Sequence, residues 1–163
     1  MAAVRYSLLV FTLAACGGSS ATPAKPAEPA PAAPSAFKDM NADQRMAFMK
    51  DVVMPKMAPL WAAFDPKLPA LECKTCHGKG ADDGSFEMPS AEIPVLPGTE
   101  EAFMAYLADP AHPDHPVWAK FMGEQVTPTM AGLLQMTPFD PKTMTGEFGC
   151  GTCHTTNPPH PKH

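Results

Sequence analysis

Phe121-Met122-Gly-Glu-Gln-Val-Thr-Pro128-Thr-Met130-Ala131-Gly-Leu133, then Phe139-Asp140-Pro141-Lys142, then Cys150-Gly151-Thr152-Cys153-His154, repeats an earlier stretch of the same chain. The earlier copy is Phe48-Met49-Lys-Asp-Val-Val-Met-Pro55-Lys-Met57-Ala58-Pro-Leu60, then Phe64-Asp65-Pro66-Lys67, then Cys73-Lys74-Thr75-Cys76-His77. Phe, Met, Pro, Met, Ala and Leu match at an offset of 73, Phe-Asp-Pro-Lys at 75 and the cysteines at 77, so two short insertions in the second copy account for the drift. A period of this length marks a supersecondary unit used twice. The units run over about 41–77 and 117–154.

Within each copy the apolar residues fall on a helical period. Met46, Met49, Val53, Met57, Leu60 and Phe64 are spaced by three and four, as are Trp118, Met122, Val126, Met130 and Leu133. Asn41 followed by Gln44 has the form of a capping box at the first helix start. Pro55 and Pro128 lie off these stripes and should kink both helices. Thr99 is placed to cap a shorter helix over Glu100 to Ala108. Residues 84–98 hold Pro89, Pro94 and Pro97 and read as an irregular loop, and no strand alternation stands out. The expected class is mainly α, two helix-loop units with long irregular loops.

Each unit ends on Cys-x-x-Cys-His. This spacing suits haem attachment: two thiols add across two vinyl groups, and the adjacent imidazole reaches the iron. At this composition the motif arises by chance about 0.006 times per chain, and here it occurs twice. A four-thiolate zinc site would join pairs 73 residues apart, long for a zinc ribbon, and would not need the histidines. A thioredoxin-like pair needs a strand-then-helix setting. A disulfide closes poorly between i and i+3. The expected cofactors are therefore two covalent haem c groups, on Cys73 and Cys76 and on Cys150 and Cys153, with His77 and His154 as iron ligands.

The chain thereby resembles multihaem c-type cytochromes. It is most similar to the repeats of the photosynthetic reaction-centre cytochrome subunit, in which a helix carrying a methionine precedes a loop and then Cys-x-x-Cys-His. The resemblance covers roughly residues 40–155. It implies an electron carrier rather than an enzyme, with iron cycling between two oxidation states. A dihaem peroxidase, a haem-based sensor or a subunit of a respiratory complex are the alternatives.

For the sixth iron ligand, residues 155–163 contain no methionine. The second haem must look upstream or to a tail histidine. Met57 and Met130, matched in the repeat and nearest their cysteines, are the first candidates; Met49 and Met122 are next. They lie eight residues away, about 12 Å along a helix, so one iron cannot use both. His112, His115, His160 and His163 come last and read as exposed loop or tail histidines.

The remaining cysteine is Cys16. Met1 to Ala15 has a positive start at Arg5 and a short apolar run, the form of an export signal. Leu13-Ala14-Ala15-Cys16 resembles the bacterial lipoprotein box, which implies cleavage before Cys16 and its lipidation. Residues 16–36 are rich in proline and alanine and read as a semi-rigid spacer, leaving 37–163 as the haem domain. The expected location is the periplasmic side of the cell envelope, lipid-anchored, with the outer membrane favoured by Gly17. Twelve Lys plus Arg against 17 Asp plus Glu leave a net charge of −5. That balance argues against nucleic acid as a partner and leaves a redox partner protein.

Overall fold

The computed structural model describes residues 36–159; the export signal, Cys16, most of the spacer, His160 and His163 lie outside the described residues. The described part is mainly helical. After a short 3-10 turn, Phe37–Asp39, come α1 (Ala42–Phe48), a π turn (Met49–Val53) and α2 (Met54–Phe64), which together form one continuous helix. The first Cys-x-x-Cys-His forms α3 (Cys73–His77), followed by α4 (Gly80–Asp83), strand β1 (Leu96–Pro97) and α5 (Glu100–Leu107). The second copy repeats the start: α6 (His115–Phe121), a π turn (Met122–Val126) and α7 (Thr127–Leu134), then α8 (Cys150–Cys153) and β2 (Thr156–Asn157).

The N-terminal cap is as the sequence implied. Asn41 accepts from the Gln44 amide, and the Gln44 side chain accepts from the Asn41 amide, each at 2.9 Å. Thr99 caps α5 by accepting from the Ala102 amide at 3.3 Å, and that helix stops one residue short of the expected Ala108.

The disturbance expected at Pro55 and Pro128 takes the form of the two π turns. Proline has no amide hydrogen, and its ring crowds the carbonyl four residues back. The helix accommodates this by widening just before the proline: Met54 gives its N–H to the Met49 carbonyl, and Thr127 gives its N–H to that of Met122, each an i to i−5 bond. The apolar spacing shows the same phase change. Met49, Val53 and Met57, and then Trp118, Met122, Val126 and Met130, advance in steps of four, which overshoots a 3.6-residue turn. A widened turn takes up the excess.

The two long helices run antiparallel. Near the end of the first, Phe64 stacks on Phe121 at 4.0 Å and meets Trp118 edge-on at 4.6 Å, while Trp61 lies 5.7 Å from Trp118. Near its start, Phe48 and Met49 pack on Ala131 and Leu134 at the end of the second. Each π turn also meets the other unit's post-proline helix. The pairing is thus reciprocal, as two copies of one unit related by an approximate two-fold would make it.

The buried line differs in part from the sequence stripes. Val53 and Met57 are buried as expected, but Met46 is exposed. In the second helix the buried residues are Phe121, Ala131 and Leu134, each next to a stripe position, whereas Trp118, Met122, Val126, Met130 and Leu133 are half-buried. What covers these buried residues is the antiparallel neighbour, through Phe64 on Phe121 and through Phe48 and Met49 on the cluster of Ala131, Leu134 and Phe148. Val53, Met57, Phe121, Ala131, Leu134 and Phe148 are the only apolar residues buried among the described ones, a thin core for a domain of this size.

A second difference lies in the loops. The irregular loop expected over 84–98 contains β1, which pairs in parallel with β2: Leu96 opposite Thr156 and Pro97 opposite Asn157. Gly98 continues the ladder, its N–H bonded to the Asn157 carbonyl at 2.9 Å. A Cβ at Gly98 would collide with the Pro158 carbonyl, so the close approach demands glycine. Two-residue strands contain too few positions to show an alternation.

Candidate functional site

Both Cys-x-x-Cys-His motifs fold into single helical turns held by the same bonds. Thr75, the third residue of the first, accepts from the Glu72 amide at 3.1 Å and returns its own amide to the Glu72 carbonyl at 3.0 Å. Thr152 does the same with Gly149, at 3.0 Å in both directions. One turn of helix puts the thiols at i and i+3 on one side. All four cysteines are free, so no disulfide consumes them.

The turn before each motif is also shared. Asp65 accepts from the Lys67 amide and Asp140 from the Lys142 amide, each at 2.9 Å. These Asx turns lie within the helix-to-motif connection in both units. The second unit reaches its turn later. Its helix stops at Leu134, where Gln135 takes a left-handed conformation (φ 58°) and Met136 bonds back to the Ala131 carbonyl at 2.9 Å. In the first unit the helix runs straight to Phe64. This is the physical form of the first insertion.

One segment, Ser90–Pro94, knits the two motifs together. The Ser90 amide donates to the Cys153 carbonyl at 3.0 Å, and the Pro94 carbonyl lies 2.8 Å from His154 Nδ1. A carbonyl can only accept, so Nδ1 carries the proton and Nε2 keeps its lone pair for a metal. On the other side Glu92 accepts from the Lys79 amide and pairs with the Lys79 ammonium, both at 2.9 Å. Gly78, just after His77, sits at φ 55° with Glu92 and Ser90 so close that a Cβ would lie 2.8–3.0 Å from their atoms.

The electrostatics show how near the motifs are. The Cys153 thiol is pushed up to about 12, first by burial and then by the neighbouring Cys76 and Cys150 thiolates. Cys76 is raised by burial and by Cys73, and Cys150 by burial. A thiol of the first motif thus lies within electrostatic reach of one in the second. His77 is lowered by burial, with the Phe86 backbone pulling the other way. Its Nδ1 is buried and makes no hydrogen bond, and its ring meets Phe86 edge-on at 5.4 Å.

The candidate sulfur ligands sit in different surroundings. Met57 is buried, 7% exposed. Met130 is half-buried and packs with Met49, Met136 and Cys153 around Ala131, Leu134 and Phe148. So Met49, a candidate from the first unit, is carried by the antiparallel pairing to the cluster against which Cys153 also packs. Met122 is half-buried at the start of its π turn.

His112 is exposed, as anticipated, but His115 is not a loop histidine. It is the first residue of α6, half-buried, and stacks on Tyr106 at 3.7 Å. The sequence reading overlooked Thr75 and Thr152, whose identity in both motifs was the available signal. It also missed Leu71 and Phe148, each two residues before a first cysteine. Ser90, Glu92 and Pro94 left no signal, because each acts on a residue outside its own segment: Glu92 on Lys79, 13 residues back, and Pro94 on His154, 60 residues on.

The donor set fits haem c: paired free thiols on one helical turn, one histidine oriented by a carbonyl, and one with an unpartnered buried nitrogen. Comparison of the chain with protein-family models, curated proteins and solved structures finds no match. By class the chain is a mainly α domain built from a duplicated helix-loop unit.

Proposed function

We propose that this chain is a dihaem c-type cytochrome that carries electrons in the cell envelope. The observation that carries the reading is the occurrence of two Cys-x-x-Cys-His motifs on equivalent helical turns, thiols free, with His154 Nε2 left available by the Pro94 hydrogen bond. Cys73 and Cys76 would hold one haem and Cys150 and Cys153 the other, with His77 and His154 as nitrogen ligands and Met57 and Met130 as sulfur ligands. Haem held there supplies a one-electron ferric/ferrous couple. The chain's part is to fix the imidazoles, limit water and set the local charge. The thin protein core supports the same reading, since two large apolar groups would complete it.

Cys16 would carry the lipid that tethers the protein to the periplasmic side of a membrane, the spacer holding the domain away from it. No helix among the described residues is long and apolar enough to cross a membrane. The partner is a redox protein that can face an acidic surface.

Intact-mass measurement on protein matured in a bacterial envelope tests the reading. We expect two haem additions that survive acid-acetone extraction, and a reduced protein that resists carbon monoxide. Extractable haem or bound zinc sinks the reading. Strong carbon monoxide binding moves it toward an enzyme or a sensor. The Cys16→Ser variant should leave the membrane with its visible spectrum unchanged.

A further inference from the structure

Outside both haem motifs, the segment leading into α6 gathers three side chains that bind metals. His112, Asp114 and His115 place one ligand atom each so that all lie within 4.8 Å of one another. The backbone holds this segment in shape. Asp109 accepts from the Ala111 amide through its side chain at 2.9 Å and from the His112 amide through its carbonyl at 3.1 Å, and the His112 carbonyl accepts from the His115 amide at 3.1 Å.

His115 is the prepared ligand. Its Nδ1 lies 3.0 Å from the Tyr106 carbonyl, so that nitrogen must donate and Nε2 keeps the lone pair. This is the arrangement that orients metal-ligating histidines. Its ring is stacked against Tyr106 at 3.7 Å and against His112 at 4.6 Å, nearly parallel to both. His112 and Asp114 are exposed and free to turn. Two donors on one tetrahedral cation, each at about 2.0–2.2 Å, stand about 3.3–3.6 Å apart. A pair at the 4.8 Å limit therefore closes by about 1.2–1.5 Å, through rotation of the exposed His112 and Asp114 side chains.

We propose that His112, Asp114 and His115 form a surface site for a borderline divalent transition cation, Zn²⁺ or Cu²⁺. Two imidazoles and one carboxylate suit these ions, whereas Mg²⁺ and Ca²⁺ want oxygen ligands. Three protein donors leave a fourth position for water or for a donor from another molecule. The site does not depend on the haem reading.

Calorimetric titration of the mature, haem-loaded protein with Zn²⁺ in a non-chelating buffer tests it. We expect one site, weakened at least tenfold in His112→Ala and in His115→Ala, several-fold in Asp114→Asn, and unchanged in the His160→Ala/His163→Ala tail variant. If His115→Ala does not fold, exposed His112 carries the test. No Zn²⁺ binding, binding unchanged in His112→Ala, or binding lost only in the tail variant overturns the proposal. So does a His115→Ala protein whose haem spectrum changes while its Zn²⁺ affinity does not, because His115 would then belong to iron. Loss of haem reading by mass with Zn²⁺ binding retained would separate the two conclusions.

Discussion

The two Cys-x-x-Cys-His units share a sequence pattern and a local fold, yet their histidines and thiols sit in different environments. His154 is oriented by the Pro94 carbonyl at 2.8 Å, while His77 has a buried Nδ1 without a partner. Cys153 is half-buried against the Ala131, Leu134 and Phe148 cluster, while its counterpart Cys76 is exposed; the first thiols, Cys73 and Cys150, are exposed in both units. Met57 is buried deeper than Met130. Duplication reproduces what neighbours in sequence decide, namely the threonine-closed motif turns, the Asx turns and the π turns. It does not reproduce what the rest of the fold lays against each copy. A hydrogen bond to a ligand and the polarity around it tune a metal site, so if both motifs hold haem, as proposed, the two irons should differ in potential.

The largest expected difference is in packing. Phe148 and Leu71 occupy the same place relative to their cysteines, but Phe148 is 3% exposed and Leu71 is half-buried. We predict that Phe148→Ala costs about 3–5 kcal/mol. Leu71→Ala should cost clearly less, because its surroundings already include solvent. Denaturant unfolding of both variants checks this, and equal losses would mean that the second unit is not the better-packed one.

The proposed iron ligands come next. Met57→Ala and Met130→Ala should each lower the potential of one haem and open it to carbon monoxide, with the two affected potentials distinct. Redox titration followed by visible spectroscopy reads both. If both variants keep two six-coordinate haems at unchanged potentials, these methionines are packing residues. If Met49→Ala perturbs the second haem instead, the antiparallel pairing has supplied that ligand across units.

The smallest effect, at most about 1.4 kcal/mol for each pH unit, is a dependence on pH in the haem-free chain. The Cys153 thiol is held up to about 12 in the folded state, above the ordinary value near 8.5. Where the folded state keeps a proton that the unfolded state has lost, stability falls as pH rises. The contribution of this thiol is therefore whole below its unfolded value and is lost between there and about 12, by at most about 1.4 kcal/mol per pH unit. Unfolding under reducing conditions from pH 8 to 11 should show this slope, and Cys153→Ala should flatten it. If haem is attached at Cys153, as proposed, no thiol is left there to titrate and alkaline stability should be flatter too. Identical slopes for the haem-free chain and its Cys153→Ala variant would break the contrast between the two units' thiols.

The sequence by itself determined the duplication, the helical class, the Asn41–Gln44 and Thr99 caps, the Phe-Asp-Pro-Lys turns and the four thiols with their histidines. All of these rest on residues within a few positions of one another, where periodicity and short-range hydrogen bonds leave their mark on the pattern. It also placed a disturbance at Pro55 and Pro128, because a missing amide hydrogen is a local fact. Only the tertiary structure decided that the helices pair antiparallel, that Met49 meets the second unit's cluster, that Ser90–Pro94 bridges the two motifs and that His115 stacks on Tyr106. These contacts join residues far apart in the chain. Two-residue strands and single carbonyl acceptors carry no side-chain code, so the backbone hydrogen bonds that orient His154 become visible only when the fold brings Pro94 to it.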